Sequence, residues 1–532
     1  MVATAWIEIT YKIGANNDPL GKEGLTHFME HCLLKAKVGS KNLIDFCSDY
    51  GASINARTSN ENLVIDITIL EEDIEVFINT LNRDFIERIE TINLDENYLN
   101  RERRTIIQEI ETKGRRSKVL GSKETLYRIK QKDILGQIQR LKEVELTINL
   151  CNVSKTYEKG IKNCIENFVN KRKEEQKINL KISKNYGGER RPIICEETER
   201  FKIVKIDVEG RKKLLLSLYV DYCRRRKLKA LAQFLNDYFE TKEILAKTYI
   251  ELGCLSIFLE GTEEEIQSNL EKIYCISEYD IKQIFKEEHL VTLNQLEEIQ
   301  YQMIHHENYN AINNWKEMNE LYIGVFRGLV KPTIVTNVLG TINTDFIPIF
   351  SEQYLLEKES YVLKGITPAD GETVAIWKAP DYFSRKKYIA HIVWSILAGT
   401  TGELYKRWVL QNNWCYSFTF YPRELADSGY MTLYVNDKRD TNRKKYLESF
   451  KEIIEEISNS LEEASIERAR KKLLREKNEA KNNASEWINI GTRALYNQSL
   501  EEDYREVIKD IKVDEVKDFL KEYLLRGPEY IF

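Results

Sequence analysis

Hydrophobic and polar residues alternate along several short stretches of the chain, and this pattern predicts β-strands. The clearest case is Leu63 to Ile69, and residues 1–10 show the same alternation. Other stretches, such as Ile466 to Lys481, place apolar residues three and four positions apart among charged ones, which predicts amphipathic helices. Together these elements predict an α+β fold, in which helices pack on antiparallel sheets.

A helix followed by a short apolar strand is predicted at three places along the chain. Residues 342–363 and 511–532 match each other in identical register, and residues 121–150 resemble them with an offset of one residue. Amphipathic helices resemble one another in any case, so coincidence is the alternative explanation. We interpret the pattern as three repeats, which comprise residues 1–180, 181–365 and 366–532.

Composition and charge exclude several classes of protein. The chain has 532 residues, of which 31% are charged and 42% hydrophobic, as is typical of globular proteins with several domains. Its net charge is −5, and basic runs such as Arg224 to Arg226 are typical of solvated surface, so nucleic acid is not an expected partner. No apolar window of about 18 residues predicts a membrane span, and residues 1–10 lack the basic region of a signal peptide. We therefore expect a cytoplasmic protein without a membrane partner, and a linker in the polar stretch Lys171 to Arg191.

The nine cysteines stand singly and form no C-x-x-C motif. Buried, reduced thiols are the best interpretation of this scatter. Any metal would therefore be bound by histidine and carboxylate. The cysteines are Cys32, Cys47, Cys151, Cys164, Cys195, Cys223, Cys254, Cys275 and Cys415.

The candidate chemistry is concentrated in an H-x-x-E-H motif within Gly24 to Leu34. Residues four positions apart on a helix lie on one face, so His27 and His31 can both direct an imidazole nitrogen at one metal ion. Glu30 lies on nearly the same face, where it could take a proton from a water molecule that the ion activates. This motif is the inverted counterpart of H-E-x-x-H and has a recognised catalytic use. Surface histidines on an ordinary helix are the alternative.

Two imidazoles leave a catalytic zinc ion one protein ligand short, if one position is to stay open for water. The segment Glu102 to Glu111 predicts a helix on which Glu102 and Glu109, seven positions apart, share a face. Zinc, one ion per chain, is the expected cofactor, although two histidines and a glutamate accept several divalent metals. A purely structural ion fits poorly, because such sites are usually closed by four ligands and rich in cysteine. The remaining histidines lack a partner at ligand spacing and predict solvated or core roles, namely His289, His305, His306 and His391.

On these residues the sequence resembles the inverted zinc peptidase family that includes pitrilysin, insulin-degrading enzyme and the mitochondrial processing peptidase. It is most similar to the short bacterial members that are related to processing peptidases. Residues 24–34 resemble the family's metal-binding helix, and residues 102–111 resemble its distal glutamate helix. The resemblance implies that His27, His31 and Glu109 are the metal ligands. It implies that Glu30 is the base and that Glu102 is a carboxylate that supports the site.

Two further segments resemble substrate-binding parts of the family. Residues 51–61 are similar to the active-site strand, whose edge pairs with an extended substrate, and the resemblance places Asn55 and Ala56 against that substrate. An ordinary edge strand is the alternative. Residues 396–417 are similar to the segment that carries a substrate-binding arginine and tyrosine. Tyr416 falls on the tyrosine, whose hydroxyl could stabilise a developing oxyanion.

The arginine of that segment is not present at its usual place. Val409 occupies the position, and Arg407, two residues away, would point about 200° from it on a helix. Some family members divide the metal site and the Arg-Tyr pair between two subunits. The departure therefore makes a non-catalytic or partner-dependent peptide-binding subunit of a heterodimeric peptidase the alternative function.

The resemblance implies repeated half-domains of antiparallel sheet packed with helices, which enclose a chamber. The first repeat would hold the metal, the middle one would be degenerate and the third would carry the substrate-binding segment. The implied activity is that of a zinc-dependent endopeptidase acting on short or unfolded peptides, with leader-peptide processing as a candidate role. Family members usually have two or four repeats, and the chain begins inside what resembles the first sheet. A homo- or hetero-oligomer with a related subunit is thus compatible with the sequence.

Overall fold

The structure is a computed structural model, and the residues that it describes form two compact units. The first unit comprises residues 1–187, 399–402 and 463–479, and the second comprises residues 188–398, 403–462 and 480–532. Within these ranges the described residues are 4–39, 41–80, 91–92, 94–113, 117–151, 153, 157, 178–183, 191–207, 211–220, 227–251, 254–285, 312, 314–327, 330–338, 342–343, 345–349, 372–399, 401–412, 414–415, 418–424, 429–436, 443–480, 484–496 and 504–531.

The strands of the described residues form three sheets. In chain order they are β1 Thr4–Tyr11, β2 Ser53–Thr58, β3 Leu63–Leu70, β4 Leu146–Cys151, β5 Ile178–Ser183, β6 Arg191–Glu197, β7 Lys202–Asp207, β8 Lys212–Tyr219, β9 Ala246–Glu251, β10 Cys254–Gly261, β11 Thr333–Thr336, β12 Glu372–Ala379, β13 Phe418–Glu424, β14 Gly429–Asn436 and β15 Tyr530–Ile531.

Helices accompany each sheet, which confirms the predicted α+β class. They are α1 Leu25–Lys35, α2 Leu43–Asp49, α3 Glu96–Lys113, α4 Lys123–Arg128, α5 Gln131–Arg140, α6 Leu228–Thr241, α7 Glu263–Tyr274, α8 Glu278–Ile284, α9 Trp315–Phe326, α10 Lys386–Leu397, α11 Arg443–Ser460, α12 Glu463–Ala480, α13 Ala484–Leu495, α14 Tyr504–Asp510 and α15 Val513–Phe519. None of the helices in the described ranges combines the length and apolar character that a membrane span requires.

Four strands of each sheet share one order, namely β2-β3-β1-β4, β9-β10-β8-β11 and β13-β14-β12-β15. The first runs β2-β3-β1-β4-β5, the second β6-β7-β11-β8-β10-β9 and the third β13-β14-β12-β15. In each of these sets, the strand that comes first in the chain lies between the last strand and the hairpin formed by the second and third strands. The three pairings within each set are antiparallel. Three repeats would account for this common topology, but the repeats and their boundaries at 180 and 365 stay a prediction. Residues 351–363, part of the sequence match that suggested them, lie outside the described residues.

The predicted linker Lys171 to Arg191 is only partly a connection. The boundary between the two units falls at Gly187 and Gly188, within this stretch. However, Ile178–Ser183 forms β5, which pairs in parallel with β4. The prediction of a linker throughout the stretch is therefore wrong. The alternating apolar residues of β5 are the signal that its polar composition hid.

The core of the first unit lies between its sheet and α1. Alternate residues of β1 and β3, such as Ile7 and Ile67, point into it. Every residue of α1 from Leu25 to Leu34 is buried, and most of them are apolar. Three ionisable side chains within such a helix require polar partners or an ion, because burying them alone is costly. These three side chains belong to His27, Glu30 and His31.

The cysteines largely follow the sequence prediction. Five of the six for which burial is described lie in the interior, and the pKa of Cys32 is raised well above its usual value by burial. Cys32 packs in the core of the first unit, as its position on α1 predicts. Cys275 is exposed, so the prediction of a buried thiol is wrong there. It follows the last residue of α7, where the chain turns at the surface.

Candidate metal centre

Helix α1 begins where Asp18 accepts its first N–H groups. The N–H groups of Gly24 and Thr26 donate to the Asp18 carboxylate at 2.9 and 3.0 Å, and the Thr26 hydroxyl donates to it at 2.6 Å. Gly24 has a φ of +92°, and a Cβ there would lie 2.6 Å from the carbonyl oxygen of Leu120, so glycine is required. The carboxylate also suits the positive end of the helix dipole. Burial raises the pKa of Asp18, and its hydrogen bonds oppose that rise.

Replacing Asp18 with Ala is expected to lower the free energy of unfolding by about 1–2 kcal/mol, because the first N–H groups of α1 lose their acceptor. Urea denaturation measures the change. Asn42→Ala is a matched control, since Asn42 accepts the N–H of Asp45 at the start of α2, which carries no candidate ligand. Metal affinity should fall in the Asp18 variant alone. An equal fall in both variants would contradict a specific link between Asp18 and the metal centre.

The imidazole rings of His27 and His31 lie next to each other on α1. Their centroids are 4.7 Å apart in an edge contact, and the residues are 8% and 6% exposed. With Glu30 they form a group whose candidate ligand atoms all lie within 4.8 Å of one another. Residues four positions apart on a helix thus bring two nitrogen donors to one place, as the motif predicts.

The carboxylate of Glu109 on α3 faces both rings. One oxygen lies 3.7 Å from His27 Nε2, and the other lies 3.6 Å from His31 Nε2. Direct charge-assisted hydrogen bonds would be about 2.7–2.9 Å long. Two ligands held by one tetrahedral zinc ion at about 2.0–2.1 Å lie roughly 3.4 Å apart. The observed separations leave room for an ion among the three side chains, so these residues fit zinc.

Glu30 is held beside this group by a residue of β2. The hydroxyl of Thr58 donates to Glu30 Oε2 at 2.5 Å. Burial raises the pKa of Glu30, and the hydrogen bond from Thr58 opposes the rise. Glu30 therefore has a donor of its own, whereas Glu109 directs both oxygens at imidazole nitrogens. On this geometry we expect Glu109 to be the third ligand and Glu30 to be the base.

Glu102 contacts His31 on the other side of the ring. Its Oε2 lies 3.1 Å from His31 Nδ1 and 3.4 Å from Lys35 Nζ. Burial alone would raise the pKa of Glu102, but the hydrogen bonds from His31 and Lys35 hold it below its usual value. An ionised Glu102 is placed to accept a proton from His31 Nδ1, and the tautomer protonated there has its Nε2 lone pair available for a metal.

Two residues of this centre are not singled out by the sequence, Thr58 and Lys35. Thr58 shares a face of β2 with Ile54 and Ala56, which pack toward the core of the first unit. Alternation along β2 is therefore a signal that could have found it. Lys35 lies four positions after His31 on α1, and that spacing is the corresponding signal on a helix.

The Glu102→Gln variant is expected to bind zinc about 10- to 100-fold more weakly, because a neutral amide orients His31 less firmly than a carboxylate does. Competition with a chromophoric zinc chelator measures the affinity. Glu96→Gln, at an exposed position in the first turn of the same helix, is the control. Equal zinc affinities of the two variants would contradict the supporting role of Glu102.

The predicted substrate-binding residues are described in part. Asn55 is exposed and Ala56 half-buried on β2, which forms one edge of its sheet among the described strands. Val409 lies in the π-helical stretch Tyr405–Gln411 of the second unit. Arg407 in the same stretch donates to the Glu456 carboxylate at 2.5 and 3.2 Å, so it is engaged with α11. Tyr416 lies outside the described residues, and its role stays a prediction.

Solved structures that match this chain have low sequence identity to it. A protease from Helicobacter pylori is 11% identical, with 98% of this chain and 91% of that chain covered and a TM-score of 0.27. Pitrilysin is 10% identical, with coverages of 99% and 67% and a TM-score of 0.45. Complex III2 from Candida albicans with Inz-5 bound is 14% identical, with coverages of 62% and 93% and a TM-score of 0.49. At these values the similarities carry no argument about function. No curated protein matches the chain.

Two family profiles match the sequence directly. The profile "Insulinase (Peptidase family M16)" matches residues 2–130, which include α1, β2 and α3. The profile "Peptidase M16 inactive domain" matches residues 332–473. The two matches together cover about half of the chain, and the first contains every residue of the candidate metal centre. The chain belongs to peptidase family M16.

Proposed function

We propose that the chain is a zinc-dependent endopeptidase that hydrolyses peptide bonds in short or unfolded peptides. Membership of peptidase family M16 supports peptidase chemistry in general. The observation that carries the finer proposal is the convergence of two imidazoles and the Glu109 carboxylate, with Glu30 beside them. Three protein ligands and an open position are typical of catalytic rather than structural zinc.

Each side chain of the centre has a distinct task in this proposal. His27, His31 and Glu109 would hold the ion, which when bound makes water more acidic and polarises the peptide carbonyl. The Glu30 carboxylate would take the proton of the attacking water and deliver it to the departing amine. Burial raises the pKa of Glu30, so it holds a proton more firmly than an exposed glutamate does. A base with such a pKa is better matched to acid-base catalysis near neutral pH.

The edge of β2 is the proposed place for the peptide. An extended peptide can add to a free strand edge through main-chain hydrogen bonds, here next to Asn55 and Ala56. The same strand ends at Thr58, whose hydroxyl contacts Glu30, so a peptide paired with β2 would lie beside the base. Main-chain pairing selects extended shape more than sequence, which favours short or unfolded peptides. Leader-peptide processing and a cytoplasmic location remain predictions from the sequence.

A second candidate is a peptide-binding subunit that needs a related partner for activity. Its motivation is Val409 at the family's arginine position, together with the engagement of Arg407 by Glu456. Such a chain would bind peptides with or without zinc and would cleave them only in a complex. The match of residues 332–473 to an "inactive domain" profile is compatible with either candidate.

Cleavage of a quenched peptide library by the purified chain tests the proposal. We expect cleavage by the chain alone, loss of activity on removal of the metal with a chelator, and recovery on addition of zinc. Cleavage only after a related subunit is added would favour the second candidate. One bound zinc ion per chain without cleavage, whether the chain is alone or with a related subunit, would contradict both the endopeptidase and the partner-dependent peptidase.

A further inference from the structure

Helix α12 lies in the predicted third repeat, yet residues 463–479 belong to the first unit. Three basic residues on this helix contact the segments around the start of β2. Arg468 donates to Asp49, the last residue of α2, at 2.8 Å, and Lys471 donates to Asp73 at 2.7 Å. Arg475, four positions after Lys471, continues the same helix face.

Arg475 makes the most enclosed of these contacts. It is 5% exposed, its Nε donates to the carbonyl oxygen of Gly51 at 3.0 Å, and its Nη1 donates to the Thr68 hydroxyl at 3.0 Å. Gly51 lies in the turn just before β2. Thr68 on β3 is the register partner of Ser53, the first residue of β2. Arg475 therefore contacts both the turn that precedes β2 and the β3 residue that pairs with the first residue of β2.

Gly51 shows how closely α12 approaches this turn. Its φ is +66°, and a Cβ there would lie 2.3 Å from the Cβ of Lys471 and 2.9 Å from the helix backbone. The turn thus rests almost directly on the backbone of α12. With no flexible side chain between them, the position of the helix sets the position of the turn.

We propose that Arg475 is a positioning residue for the peptide substrate. Its side chain holds the start of β2 where the strand edge can pair with an extended peptide. The proposal rests on the proposed function. The other end of β2 is held by the contact between Thr58 and Glu30. A strand fixed at both ends presents its pairing groups at a set distance from the base. Peptide binding by the first unit then depends on a helix from the C-terminal part of the chain.

This role differs from a general contribution to stability. A displaced β2 would lose main-chain pairing with the peptide, while the candidate ligands on α1 and α3 would stay in place. Loss of Arg475 should therefore raise KM much more than it lowers kcat. A purely structural role would instead lower the zinc content and the active fraction, and with them kcat.

Kinetics of Arg475→Ala, Arg475→Lys and Arg468→Ala test this expectation. We expect KM to rise about tenfold in Arg475→Ala, the size typical of losing charge-assisted hydrogen bonds, with kcat and zinc content nearly unchanged. Lysine should restore part of the loss, because its ammonium group can still donate to the Gly51 carbonyl. Arg468→Ala is the control, since its exposed ion pair with Asp49 contributes little.

Amide hydrogen exchange gives a second readout that needs no catalysis. Exchange in residues 53–58 should be about tenfold faster in Arg475→Ala, with residues 25–35 unchanged. Wild-type exchange and wild-type KM in a folded Arg475→Ala would overturn the proposal. If that variant does not fold, Thr68→Val removes one acceptor alone, and wild-type exchange in its β2 would equally overturn it. A wild-type chain that never cleaves peptides would refute the proposed function but leave the exchange result standing.

Discussion

The Glu30→Gln variant is expected to bind zinc like the wild type but to cleave peptides at least about a thousandfold more slowly. Glutamine preserves the size of the side chain, and its amide oxygen can still accept the hydroxyl of Thr58. It cannot take up a proton near neutral pH. The loss should fall on kcat, because the proton moves in the chemical step and not in peptide binding.

Single-turnover rates and the zinc content of the same preparation measure both parts of this result. Glu61→Gln, an exposed position in the turn after β2, is the control and should cleave normally. A Glu30→Gln variant with wild-type activity would remove Glu30 from the role of base. Loss of zinc from that variant would instead place Glu30 among the ligands.

The His31→Ala variant is expected to lose zinc, with an affinity at least about a thousandfold lower and activity that falls with it. His31 has two partners in the centre, since Nε2 faces Glu109 and Nδ1 lies within hydrogen-bond distance of the Glu102 carboxylate. Its removal leaves one imidazole and one carboxylate, too few for a stable catalytic site. The loss should exceed that of Glu102→Gln, because a ligand is removed rather than its support.

Zinc titration followed by calorimetry measures the affinity of His31→Ala. His391→Ala is the matched control, because it is the same substitution outside the metal centre. His391 pairs with Glu424 at 2.6 Å in the second unit. This control should bind one zinc ion per chain, as the wild type should. Full zinc stoichiometry and tight binding in His31→Ala would contradict the proposed ligand set.

The elements of the centre could be predicted because their signals are local. The spacing of His27 and His31 fixes a shared helix face wherever the helix lies, and the same holds for Glu102 and Glu109. Alternation from Leu63 to Ile69 likewise predicts the strand that the structure shows as β3. Local periodicity carries such information because it reports the side of an element that meets the core.

Contacts between distant parts of the chain could not be predicted in this way. Arg475 and Gly51 are 424 positions apart, and nothing in either segment specifies the other. A basic helix face is usually solvated, so the basic residues of α12 gave no reason to expect a buried arginine. The contact between Thr58 and Glu30 has the same origin, because it depends on how β2 packs against α1.

Composition led to a wrong prediction where it conflicted with the alternation of apolar and polar residues. The stretch around Ile178 to Ser183 is flanked by Lys, Glu and Gly, yet it forms β5 in the first sheet. The middle of the chain shows little sequence resemblance to the family, although four strands of its sheet have the same order as four strands of each other sheet. Strand order depends on the pattern of buried positions, which tolerates extensive change of individual side chains.

Anomalous diffraction at the zinc edge from crystals of the zinc-loaded chain tests the central claim most directly. We predict an anomalous peak at about 2.0–2.2 Å from Nε2 of His27, from Nε2 of His31 and from a carboxylate oxygen of Glu109, with Glu30 not coordinated. A peak at which Glu30 replaces Glu109, or the absence of a peak between these helices, would contradict the proposed centre.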